Sequence, residues 1–337
     1  MKQRLFAVIS AIFIISALPL AAQRAPAMDS FEEGFARYTE NGKFGYINKT
    51  GKPAIAARFD NADYFSEGMA AVSRNGKWGY INTKGVFVIK PRFQAAVGFK
   101  EGYAKVKQDG KFGFIDKSGA FIIQPRLDFA FSFSEGLAAG EKNEKWGFIN
   151  PKGVAVIPFR FKSVLPFSEG LAAVNLDGDH GYIDKTGSFV IEPVYKSANS
   201  FKYGRALVGD EQGPAVIDKI GTLVFRPEKF EFFNYFFDGL LLSQKQGKYG
   251  YYNTRGETAI PFTYELAGIF REGYALIRVD GKYGYIDTKG NVVIPPRFSD
   301  ALGFRDGAAA VFLNGKWGYI DTKGDFIIPP KFEPIDW

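Results

Sequence analysis

The chain has no cysteine and one histidine, His180, in 337 residues. Disulfide staples are therefore excluded, as are Cys/His metal clusters and nucleophile–base pairs built on those side chains. After residue 22 no apolar run approaches the roughly 20 residues that a spanning helix needs. A block of one charge is missing too. The formal charge is +7, but the lysines recur along the chain and form no concentrated stripe, so no nucleic-acid partner is expected. Long helix-favouring stretches are absent because 39 glycines, 17 prolines and 17% aromatic residues are spread evenly. With no cofactor or metal motif to place, stability and function must come from packing and surface.

What is present begins with Met1-Lys2-Gln3-Arg4 and an apolar run from Leu5 to Leu20. This reads as a secretory signal over residues 1–22, cleaved near Ala21-Ala22-Gln23 or as late as residue 27. The run is short for a spanning helix, and no lipoprotein cysteine follows it. The expectation is an exported chain, periplasmic or secreted, with no membrane span in its mature form.

From residue 28 to residue 337 one block recurs, as in Asn75-Gly76-Lys77-Trp78-Gly79-Tyr80-Ile81-Asn82. Its glycine falls at Gly45, Gly79, Gly113, Gly147, Gly181, Gly250, Gly284 and Gly318, with Ala215 in the remaining place, at steps of 34 residues and one of 35. Nine units in one domain follow. In the second unit, Asn75-Gly76 supplies the positive φ angles of a type I′ hairpin. Asn82 to Gly85 is an Asx turn ending on a left-handed glycine, and a proline, Pro91, ends the strand after it. Three strands per unit and one longer link are expected. Each link carries a phenylalanine before its acidic–glycine pair, from Phe31, Phe65 and Phe99 to Phe304, which predicts a shared core column.

The expected fold is all-β, a nine-unit antiparallel β-repeat array. Because nine three-stranded blades depart from the usual propeller of four to eight four-stranded ones, an open solenoid-like or superhelical sheet is favoured. A closed propeller-like ring is the alternative.

The blocks around Trp78, Trp146 and Trp317 resemble the defining motif of the bacterial WG-repeat (KWG-repeat) proteins, and the resemblance covers the chain beyond the signal. It implies an all-β repeat protein, often exported, with no established catalytic activity and a role in binding.

The residues leave little for catalysis. Carboxylates at Glu33, Glu67, Glu101, Glu135, Glu169 and Glu272 precede a turn glycine, and equivalent positions in successive repeats serve turns more naturally than acid–base pairs. The position before the motif glycine drifts among rings, at Phe44, Trp78, Phe112, Trp146, Tyr249, Tyr283 and Trp317, with His180 and Pro214 as exceptions. Such drift marks either a structural ring or a partly exposed ladder with faces for sugars or peptides. These seven are the candidate ligand-binding residues. The pattern breaks most around Glu211 to Val216 and at Phe230, Phe232, Phe233, Tyr235, Phe236 and Phe237. Trp337 ends the chain as the last aromatic of an outer-membrane barrel does, but the strands are too short for that class. The functional expectation is an exported scaffold binding a polysaccharide or an envelope protein. A purely protein–protein scaffold and a carboxylate-dependent glycan-active enzyme are the rivals.

Overall fold

The computed structural model describes residues 29–227 and 235–332. The signal at residues 1–22 with its later cleavage point at 27, Phe230, Phe232, Phe233 and Trp337 lie outside the described residues. The second blade shows how the repeat folds. Its strands are Asn61–Ser66, Met69–Arg74, Lys77–Asn82 and Phe87–Phe93, paired in chain order as an antiparallel meander. Asn75 and Gly76 have φ of 52° and 72°, so the hairpin turn is the expected left-handed pair. At the next turn Asn82 Oδ1 accepts the N–H of Lys84 and of Val86, each at 3.0 Å.

Every unit but the first thus has four strands among the described residues, one more than its sequence pattern predicts. The extra strand lies in the link. In the third blade it is only Ala95–Ala96, too short to display an alternation. The motif glycine has a specific cause. The fourth strand bulges across the third, pairing Trp78 with Phe93 but Tyr80 with Ile89. At the equivalent place in the fourth blade, a Cβ on Gly147 would lie 2.6 Å from the Ile157 carbonyl oxygen, so only glycine fits. Ala215 occupies this position in the sixth blade, where the fourth strand is cut to Leu223–Phe225.

Among the described residues the strands form nine sheets, the first of three strands and the others of four, evenly spaced in a ring. The open solenoid-like or superhelical arrangement is therefore corrected to a nine-bladed propeller. Turns between first and second strands of blades far apart in sequence line one cavity, so the first strands face the axis and the fourth strands the rim. In most blades a two-residue strand inside and a seven-residue strand outside, as in Ala95–Ala96 and Phe121–Leu127, give the shape of a wedge. Stacked wedges close on themselves. No strand of the first sheet pairs with a strand of the ninth among the described residues; side chains join them.

The core lies between blades. All nine link phenylalanines are at most 1% exposed, each worth roughly 1.5–3 kcal/mol of burial. Phe65, Phe99, Phe201, Phe270 and Phe304 each pack against the tyrosine that follows the preceding blade's motif glycine, with ring centroids 4.7–4.9 Å apart. That tyrosine also donates to the next blade's backbone, as Tyr80 does to the Val97 carbonyl at 2.9 Å.

Candidate functional site at the axis

The turn between first and second strands pairs a residue in the left-handed region with a glycine, for example Glu67 (φ 53°) and Gly68 (φ 80°). The acidic side chain does not cap its own turn. It reaches the next blade and accepts that blade's turn N–H groups. Glu33 takes the N–H of Glu67 at 2.7 Å and of Gly68 at 2.9 Å. Glu101 takes those of Glu135 and Gly136, and Glu272 those of Asp306 and Gly307. Asp306 completes the circle by accepting the N–H of Gly34 at 2.6 Å. The carboxylates therefore serve turns, as the sequence reading holds, but the turns of their neighbours. Asp238 and Asp306 belong to the same ring of acids.

Lysines from the next blade's Asx turn support four of these acids. Lys49 lies 3.1 Å from Asp306, Lys117 3.2 Å from Glu67, Lys185 3.3 Å from Glu135 and Lys219 3.4 Å from Glu169. All four pairs are partly solvated, so each contributes little by itself.

One position breaks the ring of acids. Tyr203 stands where a carboxylate stands elsewhere, at φ 54° and 49% exposed. It borders a cavity of about 660 Å³ around the axis, whose walls include Glu169, Lys202, Phe237, Arg271, Glu272 and Asp306. Phe236, Phe270 and Phe304 of the core column also line it. Arg305 is ion-paired to Glu32 at 2.6 Å. Burial and the neighbouring Arg305 guanidinium lower the Arg271 pKa. Deeper in, Tyr64 donates to Asp29, and the Arg37 guanidinium lies 4.1 Å from its ring centroid. Among the described residues no group of three or more His, Asp or Glu is placed to hold a metal ion, and no helix is long and apolar enough to cross a membrane.

The aromatic positions singled out from sequence lie elsewhere and are not brought together. Trp146, Tyr283 and Trp317 are buried, at 3%, 8% and 4% exposure. Trp146 packs on Phe131 of its own blade at 5.2 Å, and Trp317 on Phe312 at 5.2 Å. Phe44, Trp78, Phe112 and Tyr249 are half-buried against core clusters. His180 is likewise partly buried, which lowers its pKa, beside Asn175. The axial cavity was missed because its residues come from turns scattered along the chain. One signal existed: the acidic position, regular elsewhere, reads Tyr203 in the sixth unit.

No curated protein matches the sequence. Among solved structures, a eukaryotic initiation factor is 12% identical, with 90% of this chain and 97% of that one covered at a TM-score of 0.60. At such identity the likeness shows the fold alone. PorZ, a surface component of the type-IX secretion system of Porphyromonas gingivalis, is 9% identical over 78% of this chain and 45% of its own, at a TM-score of 0.34. Hsv2 of Kluyveromyces lactis is 9% identical over 77% and 92%, at 0.38. These two likenesses carry no argument. The WG containing repeat matches at residues 44–78, 78–112, 112–146, 146–178, 181–209, 249–283, 283–317 and 317–335. The chain belongs to the family of proteins built from WG containing repeats.

Proposed function

We propose that this propeller is an exported, non-enzymatic scaffold that binds a polysaccharide or envelope protein outside the cytoplasm, at the axial mouth. The supporting observation is the single break in the ring of acids, where exposed Tyr203 borders a cavity that also holds Lys202 and Arg271. A half-exposed aromatic beside polar groups is the usual make-up of a recognition site. The export reading rests on the apolar run from Leu5 to Leu20. The non-enzymatic reading rests on the acids: Glu33, Glu101 and Glu272 are each held by two backbone N–H groups of the next blade, which commits them to the turns.

The test is a glycan array together with a pull-down from envelope extract, using residues 28–337 and the Y203A variant. Y203A is expected to lose at least tenfold in affinity for whatever the parent binds. Undiminished binding by Y203A, with loss instead in W78A, would move the site to the half-buried motif rings. Hydrolysis of any glycan that vanishes in E272Q would overturn the non-enzymatic reading.

A further inference from the structure

The hydrogen-bond capacity of the axial cavity is unevenly used. Its acids are occupied: Glu169 accepts the N–H of Tyr203 at 2.6 Å and of Gly204 at 2.8 Å and meets Lys219. Asp306 accepts Gly34 N–H and meets Lys49, Asp238 accepts Gly273 N–H, and Glu32 is held by Arg305. Two of its three cations are not. Among the described residues the Arg271 guanidinium, the Lys202 ammonium and the Tyr203 hydroxyl make no hydrogen bond or ion pair, although all three line the cavity. Arg271 is half-buried; Arg305 repels it, while Glu32 and Glu272 attract it from a distance without a hydrogen bond or ion pair. A partly desolvated cation with no hydrogen-bonding partner favours an incoming anion.

The surrounding acids limit what that anion is. Six carboxylates line the same cavity, so a densely charged group such as a phosphate is repelled, whereas one carboxylate between Arg271 and Lys202 is tolerated. Each protein carboxylate has about four lone-pair sites and uses part of them on backbone N–H groups. The remainder calls for a ligand that also donates, as hydroxyl groups do. The exposed Tyr203 ring supplies a face for a flat, hydroxylated ring. We propose that the axial mouth binds the uronate unit of an acidic polysaccharide, with Arg271 and Lys202 on its carboxylate, Tyr203 stacked on its ring and the turn acids on its hydroxyls. This deepens the proposed function and rests on its placement of the site.

The experiment is calorimetric titration of residues 28–337 with trigalacturonate, neutral maltotriose, a glutamate-rich peptide and inorganic phosphate, at two salt concentrations. Trigalacturonate is expected to bind at least tenfold more tightly than the other three and to weaken as salt rises. R271Q is expected to lose at least tenfold and R271K less, with K202Q as the second variant should R271Q fail to fold. Equal binding of maltotriose and trigalacturonate overturns the uronate assignment, as does tighter binding of the peptide or of phosphate, affinity unchanged in R271Q and K202Q, or no binding of trigalacturonate. The two readings fail differently. A neutral glycan whose binding is lost in Y203A sinks the uronate and keeps the axial site, whereas trigalacturonate binding untouched by Y203A, R271Q and K202Q sinks both.

Discussion

Between the ninth and first blades, Tyr319 meets Phe31 with ring centroids 4.9 Å apart and donates to the Asp29 carbonyl at 2.5 Å. Ile328 packs on Gly51, Lys331 donates to the Gly51 carbonyl at 3.2 Å, and Asp306 caps the Gly34 N–H. Between the sixth and seventh blades the tyrosine is Val216 and the acid is Tyr203. Among the described residues the buried cluster there contains Leu207, Val216, Phe236 and Leu241. The first and ninth blades thus meet through the full interface of the repeat, while among the described residues the sixth and seventh share a reduced one. The difference follows from connectivity. Blades adjacent in the chain are held at high effective concentration, so their interface survives losses. A seam without a peptide bond must offset the closure entropy of the whole chain by contacts alone. The binding role proposed above falls on the sixth and seventh blades, where fewer side chains are committed to holding the ring.

Breaking the two interfaces in parallel gives the largest expected effect. Tyr319→Ala should cost about 3–5 kcal/mol and Val216→Ala about 1–2 kcal/mol, read as midpoints of urea unfolding; equal costs would remove the distinction. Next, Asp306→Ala should destabilise by about 2 kcal/mol, because Gly34 N–H loses a charged acceptor. Gly34 should then exchange its amide hydrogen faster than Gly68, whose acceptor Glu33 is intact. In the opposite direction, Tyr203→Glu restores the ring of acids between the sixth and seventh blades. It should stabilise by about 1 kcal/mol while abolishing ligand binding; a lower melting temperature would contradict the equivalence of these positions.

The smallest effect is a control remote from both interfaces. Lys105 stands where other blades carry Ala71, Ala139 or Leu276. Burial lowers its pKa from 10.5 to about 8 while it donates to the Ala130 carbonyl at 2.7 Å. Between pH 8 and 10.5 the unfolded chain holds this proton more firmly than the folded one, so stability rises with pH across that window. Burial raises the pKa of Tyr80, Tyr182 and Tyr285. The unfolded chain therefore loses those protons first, and stability falls once the pH passes about 10. Unfolding free energies from urea titrations between pH 7.5 and 9.5 should climb in the parent and stay flatter in K105M, the two differing by roughly 1 kcal/mol after solvent screening.

Much of this architecture is legible in single residues. Asn75-Gly76, Asn82 with Gly85 and the phenylalanine column state local backbone and burial requirements, and those survive unchanged in the structure. The first strand was not legible, because two residues carry no periodicity. Ring closure was not either: it depends on the angle between wedges, which no repeat period encodes, and the terminal half-links read equally well as caps. The seven aromatic candidates before the motif glycine divide in the structure: Trp146, Tyr283 and Trp317 are buried, and Phe44, Trp78, Phe112 and Tyr249 are half-buried. The proposed axial site is instead lined by turn positions that read as structural.

Carbodiimide cross-linking of the unmodified chain, read by peptide mass spectrometry, tests closure of the ring most directly. Lys117–Glu67, Lys185–Glu135 and Lys219–Glu169 join neighbouring blades at 3.2–3.4 Å and serve as internal standards. Lys49–Asp306 spans the seam at 3.1 Å. A closed ring predicts an intramolecular Lys49–Asp306 bond in the monomer at a yield comparable to the standards. Formation of the three standards without it would contradict closure.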